Sequence, residues 1–177
     1  MKTLAPSTTR VLPPRRTAPF NEEPGYYEPA DLWLYGNTRL LSSDLVTIES
    51  LFGMDSESEL TLNEIEREAE NFVLHGKTLV TGINHTRYQR AAVVPLRWGA
   101  PRVLVVRGGF YTHLGPDLTQ EPFLMARLWR YEFDPGSDLI VSRQNPNAPK
   151  TTRTYLTSID RLVRQIVERE VPGLLFN

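Results

Sequence analysis

Four short segments of this 177-residue chain set glycine and arginine close together. They are Gly36-Asn37-Thr38-Arg39, the run Gly82-Ile83-Asn84-His85-Thr86-Arg87 that follows Thr81, Arg107-Gly108-Gly109-Phe110, and the stretch from Arg143 through Lys150 to Arg153. Glycine lets a backbone come close to a ligand and offer N–H groups to phosphate oxygens, and a helix start just beyond adds partial positive charge. Arginine pairs bidentately with phosphate. Any one of these segments is explained well enough as a turn. Four brought together would form an anion site. None matches G-x-G-x-x-G or the P-loop, so a generic dinucleotide or triphosphate machine is poorly supported. His75, His85 and His113 are isolated and lack metal-ligand spacing. His85 can touch a phosphate or act as an acid/base. No nucleophile elbow occurs. No catalytic residue, metal or cofactor is therefore assigned. Tyr26, Tyr27, Tyr88, Phe110, Tyr111 and Tyr155 have faces on which bases could stack, or they plug the layer between sheet and helices.

The elements that must hold these segments follow from patterning. Leu32-Trp33-Leu34-Tyr35 is an apolar strand stopped at Gly36. Ser42 or Ser43 is placed to cap a helix running to Phe52. Thr61-Leu62-Asn63-Glu64 fits a capping box opening a helix to His75, with Ile65, Ala69, Phe72 and Val73 on one face. Residues 77–82 read as a second strand, followed by a helix from Arg87 to Trp98, capped by Thr86 and disturbed by Pro95. A third strand covers 102–106, a helix 118–130, a fourth strand 139–142 and a last helix 155–169. Short apolar strands alternating with helices predict an α/β fold, a Rossmann-like open and mainly parallel sheet with helices on both faces. In such sheets ligands bind beyond the carboxyl ends of the strands, where all four segments are expected.

Composition narrows the classes. The chain is 40% hydrophobic with a net charge of −1, which excludes a strongly basic nucleic-acid protein and a highly charged disordered one. The charge is uneven, however. Residues 1–77 carry seven basic and 13 acidic side chains, and residues 78–177 carry 13 basic and eight acidic. An acidic partner would meet the second half. There is no cysteine, so disulfide scaffolds and thiolate metal sites are out. No apolar run approaches the roughly 20 residues of a membrane span, and a cytoplasmic protein is expected. Six of the 14 prolines fall in residues 1–29, expected to be a flexible or draped leader without packed elements, ahead of a single domain over 30–177.

The order of these motifs resembles the Rossmann-like domain of the DprA (Smf) family, within the DprA/LOG (SLOG) superfamily. That family's first strand ends in Gly-Ser-Arg, and the counterpart is Gly36-Asn37-Thr38-Arg39. Its second strand ends in a Ser-Gly-x-Ala-Arg-Gly-Ile-Asp segment, and the counterpart is Thr81 to Tyr88. Its Gly-x-Gly corresponds to Arg107-Gly108-Gly109, with Tyr111 nearby. Its fourth strand, proline loop and Arg-Asn-Arg signature correspond to Leu139 to Arg143, Asn145 to Pro149 and Asp160-Arg161. His85, Thr86 and Tyr88 replace the family's Arg, Gly and Asp, and Arg143 stands where glutamate is usual. The LOG-type hydrolase set is absent. The family's further strand has no counterpart before Asn177, leaving an uncovered sheet edge.

The resemblance implies single-stranded DNA as ligand and recombination-type protein partners. The first expectation is a non-enzymatic domain in which Gly36, Gly82, Gly108 and Gly109 admit the ligand. Arg39, Arg87, Arg107, Arg143, Lys150, Arg153 and Arg161 would neutralise it, with Asn37, Thr81, Asn84 and His85 beside them. A sensor or processing enzyme for a free nucleotide is the second. The third is an interaction module with a decayed site, whose open edge pairs in a homodimer or with a partner.

Overall fold

The computed structural model describes residues 21–52, 59–129, 131–149, 156–171 and 173–174. Among these residues six strands form one sheet: β1 (Asn21–Tyr27), β2 (Leu32–Gly36), β3 (Leu45–Val46), β4 (Thr78–Gly82), β5 (Arg102–Val105) and β6 (Leu139–Ser142). Their order is β1-β2-β6-β5-β4-β3. β3 to β6 are mutually parallel, whereas β2 runs antiparallel to β6, and β1 antiparallel to β2. Among the described residues five α-helices accompany them: α1 (Glu59–Leu74), α2 (Thr86–Trp98), α3 (Phe110–Leu114), α4 (Leu124–Leu128) and α5 (Leu156–Val167).

Alternate residues of the central strands enter different apolar clusters, as a sheet covered on both faces requires. Leu32, Leu34, Val103, Val105, Leu139 and Val141 join one cluster, together with Ile159, Leu162, Val163 and Ile166 of α5. Tyr35, Leu104 and Ile140 join the other with Phe110, Leu114, Phe123 and Phe133. α2 serves both, through Tyr88, Ala91 and Val94 on one side and Ala92 and Leu96 on the other.

Several expectations need correction. Residues 21–27, read as part of a leader without packed elements, form edge strand β1, while residues 1–20 lie outside the described set. No helix starts at Ser42 or Ser43. A 3-10 turn (Thr38–Ser42), β3 and a second 3-10 turn (Glu49–Leu51) stand there instead. The Ser43 hydroxyl donates to the Leu40 carbonyl, and β-branched Val46-Thr47-Ile48 favours extended chain. Of the helix expected over 118–130 only Leu124–Leu128 (α4) forms, because Pro122 lacks an amide and disfavours helical geometry at Glu121, and α3 is a separate short helix ahead of that range. Pro95 does not stop α2, and His85, not Thr86, caps it. The sheet edge beside β6 is not bare: β2 and then β1 pair there. Among the described residues, no helix is long and apolar enough to cross a membrane.

Candidate functional site

Because β4, β5 and β6 are adjacent and parallel, their carboxyl ends lie side by side, spanning about 10 Å from β4 to β6 at ordinary strand spacing. This edge receives Asn84, His85 and Arg87 after β4, Arg107 to Gly109 after β5, and Arg143 to Pro149 after β6. The 107–109 and 143–149 loops are joined directly, since the Gly109 amide donates to the Ala148 carbonyl at 2.9 Å. The start of α5 closes in from the β4 side, with Ile159 against Gly82. Arg161 on α5 is exposed, as is Arg143, and Arg107 is half-buried. Lys150 and Arg153 lie outside the described residues.

Gly36, Asn37 and Arg39 are not part of this edge. β2 is antiparallel to β6, so Gly36 pairs with Leu139 at the start of β6, while Trp33 pairs with Ser142 at its end. The expected fourth segment therefore sits at the opposite, amino end of the parallel strands. Its residues make a tight local join there. Gly36 has φ +115, and a Cβ on it would lie 2.2 Å from the Asp138 carbonyl oxygen. The Asn37 amide donates to that same oxygen, and the Asn37 side chain accepts from the Arg39 amide. The segment that does leave the sheet at the carboxyl edge beside β4 is Thr47-Ile48-Glu49-Ser50, after β3. The Thr47 hydroxyl donates to the Val80 carbonyl, and Glu49 pairs with Arg164 at 3.0 Å. A strand of two residues left no apolar run by which to recognise it.

The glycines of the remaining loops pack against protein. A Cβ on Gly82 would fall within 3 Å of Asn84, Tyr88 and Ile159, and one on Gly109 would lie 2.2 Å from the Pro146 carbonyl oxygen. The Gly108 amide donates to His113 Nε2. Gly108 and Gly109 thus spend their N–H groups holding the loop, and the cationic side chains are what this edge offers an anion. Arg87 is only 7% exposed, so it lies beneath the surface it was expected to present.

His85 accepts the Tyr88 amide through Nδ1 at 3.3 Å, which leaves Nε2 as the protonated nitrogen. Its ring stacks on Tyr88 with centroids 4.1 Å apart. Tyr88 is fully buried and its hydroxyl donates to Asp160. Burial first, and that carboxylate second, push the Tyr88 phenol well above its usual range. Glu49 and Asp160, the carboxylates beside α5 at this edge, are each engaged by a partner. Two polar atoms are not: Thr81 Oγ1 and Asn84 Oδ1 are buried without a hydrogen-bond partner among the described residues.

Of the aromatics considered for stacking, Tyr88 and Phe110 are buried and unavailable, Tyr155 lies outside the described residues, and Tyr26 and Tyr111 are exposed. Trp33 was legible only as a strand residue. It stands at this edge opposite Ser142, 5.2 Å from the Tyr26 ring. A cavity of about 400 Å³ opens between Trp33, Tyr111, Asn145, Pro146, Asn147 and Glu23. It combines two aromatic walls with amide groups beside the Arg143 loop.

A four-stranded parallel core flanked by helices on both faces, extended by an antiparallel pair, defines an α/β domain of Rossmann type with a DprA-like fold. The X-ray structure of DNA processing protein A (DprA) from Streptococcus pneumoniae matches it with a TM-score of 0.56 at 17% sequence identity, over 86% of this chain and 52% of that chain. The chain thus spans about half the length of that structure. No family model and no curated protein matches the sequence.

Proposed function

We propose that the carboxyl edge of β4, β5 and β6 binds single-stranded DNA, or another phosphate-bearing ligand, without transforming it. The observation that carries this reading is the delivery of His85, Arg107 and Arg143 to one edge by three adjacent parallel strands, with Arg161 alongside. Guanidinium groups suit phosphate, and the Trp33–Tyr111 cavity next to them suits a base, because every base has a π-face. The fold likeness to a DNA-processing protein supports the choice of DNA. A DNA-processing role with recombination-type protein partners belongs to the same proposal.

Binding of a fluorescein-labelled oligothymidylate, followed by anisotropy across a salt series, tests it. Each phosphate neutralised on a single strand should contribute about −0.7 to the slope of log affinity against log salt. A slope near zero would overturn the proposal. The buried, unpartnered Thr81 hydroxyl and Asn84 amide oxygen favour a second reading, a sensor for a free nucleotide whose polar groups reach them. Thermal stabilisation by mononucleotides but not by the oligonucleotide would select that reading.

A further inference from the structure

Starting at Thr86 beside the carboxyl edge, the outer surface of α2 and α4 carries an apolar groove of about 350 Å³, built on Val93, Phe123, Met125 and Trp129. Its volume is near the lower end of the roughly 300–1,000 Å³ typical of binding sites, enough for a few anchoring side chains. Around it, α4 turns only Ala126 fully inward. Leu124, Met125 and Leu128 are 65, 53 and 66% exposed, and Trp129 follows at 52%. Scattered exposed apolar residues are ordinary, but four within six consecutive positions form a patch of the kind that marks an interaction surface. Methionine and tryptophan are suited to adaptable anchoring of a partner.

The rim is cationic. Arg90 and Arg97 share the single carboxylate of Glu66, at 2.7 and 2.6 Å, and Arg127 is exposed and hydrogen-bonds the Glu121 and Pro122 carbonyls. Two guanidinium groups thus share one carboxylate on the groove wall, which leaves it net cationic. That sign discriminates between occupants. Residues 1–20 carry four cations and no anion, so the chain's own leader is repelled. Two copies meeting through this same face would set the arginines of one against those of the other. An acidic partner meets neither obstacle.

We propose that this groove docks an acidic amphipathic helix from another protein, its apolar residues spaced i, i+3 or i+4, i+7 into the groove and its carboxylates toward Arg90 and Arg97. The groove's lining includes none of His85, Arg107, Arg143 or Arg161, so the site stands whether or not the carboxyl edge binds DNA. The probes are two fluorescent helical peptides with identical leucine anchors, one flanked by glutamates and one by lysines. The full chain should bind the glutamate peptide at least tenfold more tightly, and Met125→Glu or Trp129→Glu should remove that binding while leaving the oligothymidylate affinity unchanged. These side chains are exposed, so the circular dichroism and melting of both variants should match the parent. Equal binding of the two peptides, or none of the glutamate peptide, would overturn the proposal. A benzophenone amino acid replacing Leu128 supplies a second check without peptide. Efficient cross-linking to residues 1–20, or to a second copy that sedimentation also detects, would overturn it by showing another occupant.

Discussion

The two ends of the parallel strands differ in how completely their polar groups are spent. At the amino end Arg102, Glu121 and Asp138 are each at most 1% exposed and form a closed ionic cluster. Arg102 Nε donates to Asp138 at 3.1 Å, its Nη1 to the Ala92 carbonyl and its Nη2 to Glu121. The Gly36–Asn37 turn is locked to the Asp138 carbonyl beside it. At the carboxyl end Arg143 and Arg161 are exposed, and Thr81 and Asn84 keep buried oxygens without partners. Arginine therefore does two different jobs in one domain: at one end Arg102 neutralises buried carboxylates, and at the other Arg143 and Arg161 are exposed to solvent. Substitutions should separate the two sharply.

The largest effect belongs to Arg102→Met. It leaves two carboxylates buried without their cation, a defect that costs about 3–5 kcal/mol. Urea denaturation should show a corresponding loss of stability, or an insoluble protein. A loss under about 1 kcal/mol would mean that the cluster is not closed as described. Next comes Gly36→Ala, which combines a left-handed backbone with a Cβ 2.2 Å from the Asp138 oxygen. The control is Gly76→Ala, where φ is +72 but nothing lies within 4 Å. The control should cost about 1–2 kcal/mol for the left-handed conformation alone, and Gly36→Ala clearly more. Equal losses in urea would show that the amino-end turn yields easily.

How much of this contrast was legible depends on which physical signal each residue carries. The apolar runs at 78–82, 102–105 and 139–142 announced buried strands, and apolar positions recurring at helical spacing announced α1 and α5. Strand direction has no such signal. Leu32-Trp33-Leu34-Tyr35 has the same period of two whichever way it runs, so nothing in it told that Gly36 would land at the wrong end. Arg102 read as a strand's first residue, since its partners Glu121 and Asp138 are 19 and 36 positions away. The arginines of the carboxyl edge were legible because they follow strands directly. The burial of Arg87 and the capture of the Gly109 amide were not, because both depend on how separate loops pack.

Smaller in stability and larger in binding are Arg143→Ala and Arg161→Ala. Both side chains are exposed, so each variant should unfold within about 0.5 kcal/mol of the parent. Under the proposed function each should also lower the salt slope for oligothymidylate by about 0.7. A variant that lost stability but kept its slope would move that arginine into the amino-end category.

The gentlest test uses pH. The Tyr88 phenol is raised in the folded protein by burial and by its hydrogen bond to Asp160, whereas a tyrosine in an unfolded chain titrates near 10. Below that value the neutral phenol's contribution is fully present. As pH climbs past about 10 the unfolded state loses its proton while the folded state holds on to it, so the contribution is progressively lost. Tyr35, also raised by burial, adds to the same alkaline decline. Tyr88→Phe should remove one share of that decline, leaving a shallower fall in the urea midpoint between about pH 9 and pH 11 than the parent shows. At pH 7 the same variant should be less stable by about 1.5–3 kcal/mol, the worth of a hydrogen bond to a charged group. Parallel alkaline curves for parent and variant would mean that Tyr88 ionises in the folded state as readily as in the unfolded one. The Tyr88 phenol would then be an open part of the carboxyl edge, available to ligand, where the present geometry buries it beneath the half-buried His85 ring.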